Sequence, residues 1–84
     1  MKHLATPDFW ECYRVLPQSI RELADKNYLL LKANSRHPSL QLKQVGKYWS
    51  VRVGRNHRAL ALPIAEGFVW FWIGSHDEYN RLIR

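Results

Sequence analysis

Cysteine is nearly missing from the chain. Cys12 stands alone, so no intramolecular disulfide can form, and there is neither a CxxC pair nor a thiolate cluster for zinc. That scarcity fits a reducing compartment. Long apolar runs are missing too. The longest, Ala59 to Ala65, carries Pro63 and falls well short of the ~20 residues a helical membrane span needs. The opening stretch, MKHLATPDFWECYR, has no apolar h-region, so no signal peptide is expected. Acidic residues are few, 7 Asp and Glu against 13 Lys and Arg. With disulfide-rich, thiolate-metal and membrane-spanning classes set aside, the expectation is a soluble cytoplasmic protein.

What the chain does have is positive charge and aromatic bulk. A net charge of +6 on 84 residues produces a field attractive to phosphates, and an acidic protein partner would suit the same charge. The length suffices for one domain, residues 1–84, and not for two. Such a chain buries only about 60–65% of its unfolded surface. The core is therefore thin, and 4 Trp, 4 Tyr and 3 Phe partly offset that.

Thr6-Pro7-Asp8 has the chemistry of a helix start: a hydroxyl cap, proline at the first helical position and an acid in the first turn. Phe9, Cys12, Tyr13 and Leu16 then share one face of a short helix that ends before Pro17. A second helix follows, with Ile20, Leu23, Ala24, Asn27, Leu30 and Leu31 at helical spacing. It should stop near Ala33-Asn34, ahead of Pro38. Beyond Pro38 the period becomes two. Leu40 and Leu42 suggest a short strand or extended arm ending at Gly46. Tyr48 to Val53 alternates cleanly, with Trp49, Val51 and Val53 on one face and Tyr48, Ser50 and Arg52 on the other. Gly54-Arg55-Asn56 is a turn, Arg58 to Ile64 a third strand, and Phe68 to Ile73 a fourth. That last strand is apolar on both faces, so it is expected at the centre of the sheet, with His76 to Ile83 as a closing helical turn. The expected class is α+β: an N-terminal helical hairpin on one face of a small antiparallel meander, in the order α-α-β-β-β-β.

Ser75-His76-Asp77 imitates a hydrolase triad in composition only. Sequence neighbours point apart, a relay needs three converging side chains, and no Gly-x-Ser-x-Gly elbow is present. The four histidines include no i,i+4 pair and no carboxylate cluster. No metal or other cofactor is expected. His3 reads as a disordered terminal residue, and His37 as a loop residue.

The meander offers a better constellation. Arg52 lies on the polar face of one strand, and Arg58 opens the next. A three-residue loop, Gly54-Arg55-Asn56, would put both on the same face. Phase along the last strand places Phe68, Trp70, Trp72, Gly74 and, if extension continues, His76 on one side. Two guanidiniums and an imidazole can thus meet at one sheet edge. Such a group suits metal-free RNA cleavage: a base takes the 2′ proton, the 2′ oxygen attacks its own phosphate, and an acid protonates the leaving 5′ oxygen. Arginines offset charge on the equatorial oxygens, imidazole serves as acid or base, and Tyr79 can orient a phosphate or stack on a base. Lys47, Tyr48, Arg55 and His57 are candidate RNA contacts at the rim. Plainer roles are open to each: Arg52 and Arg58 as solvated charges, His76 as a cap, Tyr79 as a packing residue, and the tryptophans as core.

The run HPSLQLKQVGKYWSVRVGRNHRALAL…GFVWFWIGSHDEY after a helical hairpin resembles the RelE/ParE superfamily of type II toxin–antitoxin toxins. The similarity spans nearly the whole chain from Thr6. Its most specific parts are YWSVRVGRNHRAL and WIGSHDEY. The resemblance implies a RelE-like fold with its first edge strand shortened or absent, because KHLATP leaves little room for one. It implies an endoribonuclease that cuts mRNA on the ribosome and is held inactive by a cognate antitoxin. On that pattern Arg52 contacts the scissile phosphate, Arg58 stabilises the transition state, His76 does acid–base work and Tyr79 is the C-terminal aromatic. Ser50 stands where RelE carries a second lysine. ParE-type relatives share the fold and poison DNA gyrase instead, so fold alone does not decide; a non-catalytic binding relative is a third reading.

Overall fold

A computed structural model describes residues 1–83. Its elements, in chain order, are β1 (Lys2–Ala5), α1 (Pro7–Arg14), α2 (Gln18–Ala33), a 3-10 turn (Pro38–Leu40), β2 (Lys43–Val45), β3 (Tyr48–Val53), β4 (His57–Ile64), β5 (Gly67–Ser75) and α3 (His76–Leu82). Thr6 caps α1 by accepting from the Phe9 amide at 3.2 Å, with proline in the first turn, because the first amides of a helix lack partners of their own. The Tyr13 hydroxyl donates to Asp25 at 2.7 Å and ties α1 to α2.

The five strands run in the order β1-β5-β4-β3-β2. The expected meander is there: β2–β3, β3–β4 and β4–β5 are all antiparallel. One strand is added to it. Lys2–Ala5 pairs parallel with β5, from Lys2 opposite Gly67 to Ala5 opposite Trp70. The first edge strand is therefore present in shortened form, the order opens with a strand, and the sheet is mixed. β5 is internal as its apolar sequence suggests, but the middle strand is β4.

Three further local expectations change. Leu40 ends a 3-10 turn and is fully buried, so pairing begins only at Lys43. Gln41 adopts a left-handed conformation, φ 46°, which turns the chain between the two elements. His3 is ordered: its ring stacks near Phe68 and Trp70, and its Nδ1 accepts from Trp70 Nε1 at 3.1 Å.

The core lies between the helices and the inner sheet face. Leu16, Leu31, Leu40, Val51, Val53, Ala59, Ala61, Phe68, Trp70 and Ile73 form one cluster. The outer face carries the other phase of β3 and β4: Ser50 and Arg52 lie opposite Leu60 and Arg58, and Tyr48 and Leu62 continue that phase at the other end. Along β5 that phase is interrupted. Leu60 pairs with Trp72 while Ala61 pairs with Trp70, which leaves Phe71 as an extra residue in a bulge. Simple alternation put Phe68, Trp70, Trp72 and Gly74 on one side. The bulge separates them: Phe68 and Trp70 join the inner core with Ile73, and Trp72 and Gly74 belong to the outer face.

Candidate active site

Arg52 and Arg58 are direct cross-strand partners on the outer face. Val53 pairs with His57, so Gly54-Arg55-Asn56 is the three-residue loop that keeps both arginines in phase. Gly54 has φ 65°, and a side chain there would collide with Leu23 of α2. Only glycine combines that turn with helix contact. Arg52 Nε donates to the Gly54 carbonyl at 2.8 Å, which holds its stem along the turn.

Arg58 is not the solvated charge that a sheet-face arginine suggests. It is 3% exposed. Its Nε donates to Ser50 Oγ at 2.6 Å, and its Nη2 donates to the Gln41 carbonyl at 3.0 Å. The Tyr79 ring lies over it, with the guanidinium carbon 5.3 Å from the ring centroid. Burial lowers the Arg58 pKa from its ordinary value, the neighbouring Tyr79 opposes that shift, and the like charge of Arg52 adds to it. Arginine nonetheless stays protonated in proteins. The cation is accommodated by hydrogen bonds and an aromatic face rather than by an acid.

The remaining two candidates sit on α3. Ser75 is its cap: Ser75 Oγ accepts from the Glu78 amide at 3.2 Å, and Glu78 returns to the Ser75 amide at 3.3 Å. This capping box occupies the serine that imitated a nucleophile. His76 opens the helix, is exposed, and donates its amide to the Asn56 carbonyl at 2.7 Å. That bond fastens the helix start to the turn between the arginine strands. Asn80 Nδ2 lies 3.1 Å from His76 Nδ1. With the amide as donor, a neutral His76 carries its proton on Nε2. The His76 and Tyr79 rings are 5.6 Å apart. Tyr79 is 2% exposed, and its hydroxyl has no hydrogen-bond partner among the described residues.

Arg52, Arg58, Tyr79 and His76 therefore form one contiguous group where β3, β4 and α3 meet. The rim candidates do not all join it. Tyr48 stands at the far end of β3, about 13 Å from Arg52 at the usual rise of a strand, and Lys47 lies in the turn before it. Arg55 is exposed in the turn. His57 points the other way, since it pairs with the core residue Val53 and alternates with Arg58. Among the described residues its buried Nδ1 has no hydrogen-bond partner.

Sequence reasoning missed Ser50 and Gln41 as the groups that hold Arg58. A serine between Trp49 and Val51 in an apolar strand was the available signal, because a buried hydroxyl requires a partner. Nothing local marks Gln41, whose carbonyl is aimed by a backbone conformation that costs roughly 1–2 kcal/mol for a non-glycine residue. A separate cavity of about 330 Å³ lies on the opposite face, lined by Trp10, Tyr13, Tyr28 and Leu31 among others. It holds none of this group. Among the described residues no cluster of metal-ligating side chains occurs, and no helix is long and apolar enough to cross a membrane.

Comparison with known proteins adds the family. The model of the ParE-like toxin domain matches residues 18–81. The RelB–RelE antitoxin–toxin complex from Methanococcus jannaschii superposes with a TM-score of 0.70 at 17% identity, over 96% of this chain and 99% of that one. A YoeB/ParE toxin from Agrobacterium tumefaciens gives 0.68 at 18%, over 90% and 99%. The YoeB–YefM complex from Staphylococcus aureus gives 0.57 at 21%, over 90% and 97%. At such identities the likeness speaks for the fold. No match is found among curated proteins.

Proposed function

This chain belongs to the ParE-like toxin family, and we propose that it is the toxin of a type II toxin–antitoxin pair acting as a metal-independent, ribosome-dependent mRNA endoribonuclease. The observation that carries this reading is the contiguous Arg52–Arg58–Tyr79–His76 group. Two cations offset phosphate charge beside an exposed imidazole, and no metal ligand is required. His76 and Arg52 are the members a phosphate can approach. His76 would exchange a proton with the 2′ hydroxyl or the leaving oxygen. The 2′ oxygen bonds to phosphorus as the bond to the 5′ oxygen breaks, leaving a cyclic phosphate and a 5′ hydroxyl. Arg58, held from below by Ser50 and Gln41, contributes a fixed positive field. A cognate antitoxin is the expected partner, since two structural relatives are toxin–antitoxin complexes. A target on the ribosome would place the protein in the cytoplasm.

A second reading draws on the burial of Arg58. A guanidinium at 3% exposure under Tyr79 suits a structural cation as well as a catalytic one. On that reading the chain is a gyrase poison of the ParE type, or a non-catalytic relative. Translation of a defined message in a purified ribosomal system separates these, with cuts mapped by primer extension. The nuclease reading expects cuts in the ribosomal A site that His76→Ala slows by about 100-fold or more. Intact message beside a toxic wild type would sink it and direct attention to gyrase supercoiling.

A further inference from the structure

The half of the outer sheet face that α3 leaves bare plays no part in the group just described. It carries Tyr48 on β3, Leu62 on β4, and Val69 and Phe71 on β5. Leu62 is 41% exposed, and the other three are half-buried. The bulge is what builds this surface. By inserting Phe71, it offers two successive large rings, Phe71 and Trp72, where alternation would offer one. The Tyr48 and Phe71 rings stand 5.3 Å apart across the middle strand, tilted by 53°. Leu60, paired with Ser50 and Trp72 on the same face, is only 1% exposed. The two rings therefore span the sheet as a partly open aromatic floor.

Its edges are cationic. Lys47 Nζ lies 5.4 Å from the centre of the Tyr48 ring, and exposed Lys43 is on the same face, opposite Ser50. From Lys26 to Ala65 the chain has eight Lys and Arg and no acid at all, so β2, β3 and β4 present positive charge only. Along the strands the buried pair Ser50 and Leu60 lies between the floor and the Arg52–Arg58 pair. An acidic protein partner would suit the one-signed rim alone, whereas a nucleic-acid strand uses both parts: cations along its backbone and ring faces for its bases.

We propose that Tyr48 and Phe71 form a shelf on which unpaired bases of single-stranded RNA stack, with Lys43 and Lys47 holding its backbone; the idea rests on the RNA substrate proposed above. The shelf lies about 13 Å along β3 from Arg52, so it grips nucleotides flanking the scissile phosphate. Because every base has a π-face, it holds the strand without reading sequence.

The test uses the His76→Ala protein, so that cleavage does not consume the probe. A single-stranded RNA of about ten nucleotides carrying one 2-aminopurine is titrated in at low salt. The expected result is binding with quenched fluorescence. Phe71→Leu and Tyr48→Leu each weaken binding about tenfold, the scale of one stacked base, and lose the quench. Tyr48→Phe keeps both, and thermal unfolding verifies that each variant is folded. Lys47→Ala lowers affinity and reduces the salt slope by about 1. Equal affinity in parent and both leucine variants overturns the shelf, as does absence of binding by the parent. Ring-dependent self-association in sedimentation, with an unquenched probe, assigns the face to a second copy and also overturns it. Cleavage by the wild type is scored separately: uncut message with ring-dependent RNA binding rejects the nuclease and leaves the shelf standing.

Discussion

Arg58 Nε donates to Ser50 Oγ at 2.6 Å from one buried residue to another across β3 and β4. A serine at this place explains how a cation can be buried in a sheet without an acid. A lysine at position 50 would bring an ammonium beside Arg58. That would put two like charges in a dry site, at a cost neither could offset. Ser50 and a buried Arg58 are thus two sides of one arrangement.

Removing that acceptor should be expensive. Ser50→Ala leaves a charged donor unpaired, and a loss of about 1.5–3 kcal/mol is expected from urea unfolding. Ser50→Lys should cost more, because it adds like-charge repulsion. An unchanged midpoint in Ser50→Ala would mean that Arg58 finds other partners.

Tyr79 should separate by atom. Its hydroxyl is buried without a partner among the described residues, so Tyr79→Phe is expected to hold or gain stability, by up to about 1 kcal/mol. Tyr79→Ala removes the ring over Arg58 and should lose about 3–5 kcal/mol. Paired denaturation curves decide between an idle hydroxyl and a working one.

Gly67 guards the short first strand. Its φ is 157°, and a Cβ would drive into the Lys2 backbone. Gly67→Ala should free β1 from β5 and destabilise the fold by about 1–3 kcal/mol. Hydrogen exchange of the β1 amides, fast in the variant and slow in the parent, is the direct readout.

Acid should weaken the same corner. Burial lowers the His3 pKa below the usual 6.5, and the positive N-terminus and Lys32 add to the effect. The folded state then binds fewer protons than the unfolded one, so stability is held above about pH 6.5 and lost as pH falls below it. His3→Gln retains an acceptor for Trp70 Nε1 without titrating. Its melting temperature should vary less between about pH 7 and pH 5 than that of the wild type. Parallel curves would remove His3 as the cause.

His76→Ala should leave stability within about 0.5 kcal/mol, as expected of an exposed residue, while it removes cleavage. A large drop in melting temperature would instead make His76 a structural link through Asn80.

Much of the frame was legible because its signals are local. Thr6-Pro7-Asp8 announced α1, the alternation from Tyr48 to Val53 announced β3, and Gly54-Arg55-Asn56 fixed a parity that places Arg52 opposite Arg58. β1 was scarcely legible: four residues without clear alternation pair with a strand more than sixty positions away. The bulge was hidden for a different reason. FVWFWI is apolar at every position, so no change of polarity marks where the phase slips.

The residues by themselves determined the elements, the basic balance, the acid-free stretch and the shared face of the two arginines, since these depend on composition and on short-range backbone geometry. Only the tertiary structure decided which of those charges is buried. Arg58 is enclosed by a serine across the sheet, a carbonyl from a left-handed residue 17 positions earlier and a ring from the final helix. Burial is a sum over neighbours brought together from distant parts of the chain, and no local pattern encodes that sum.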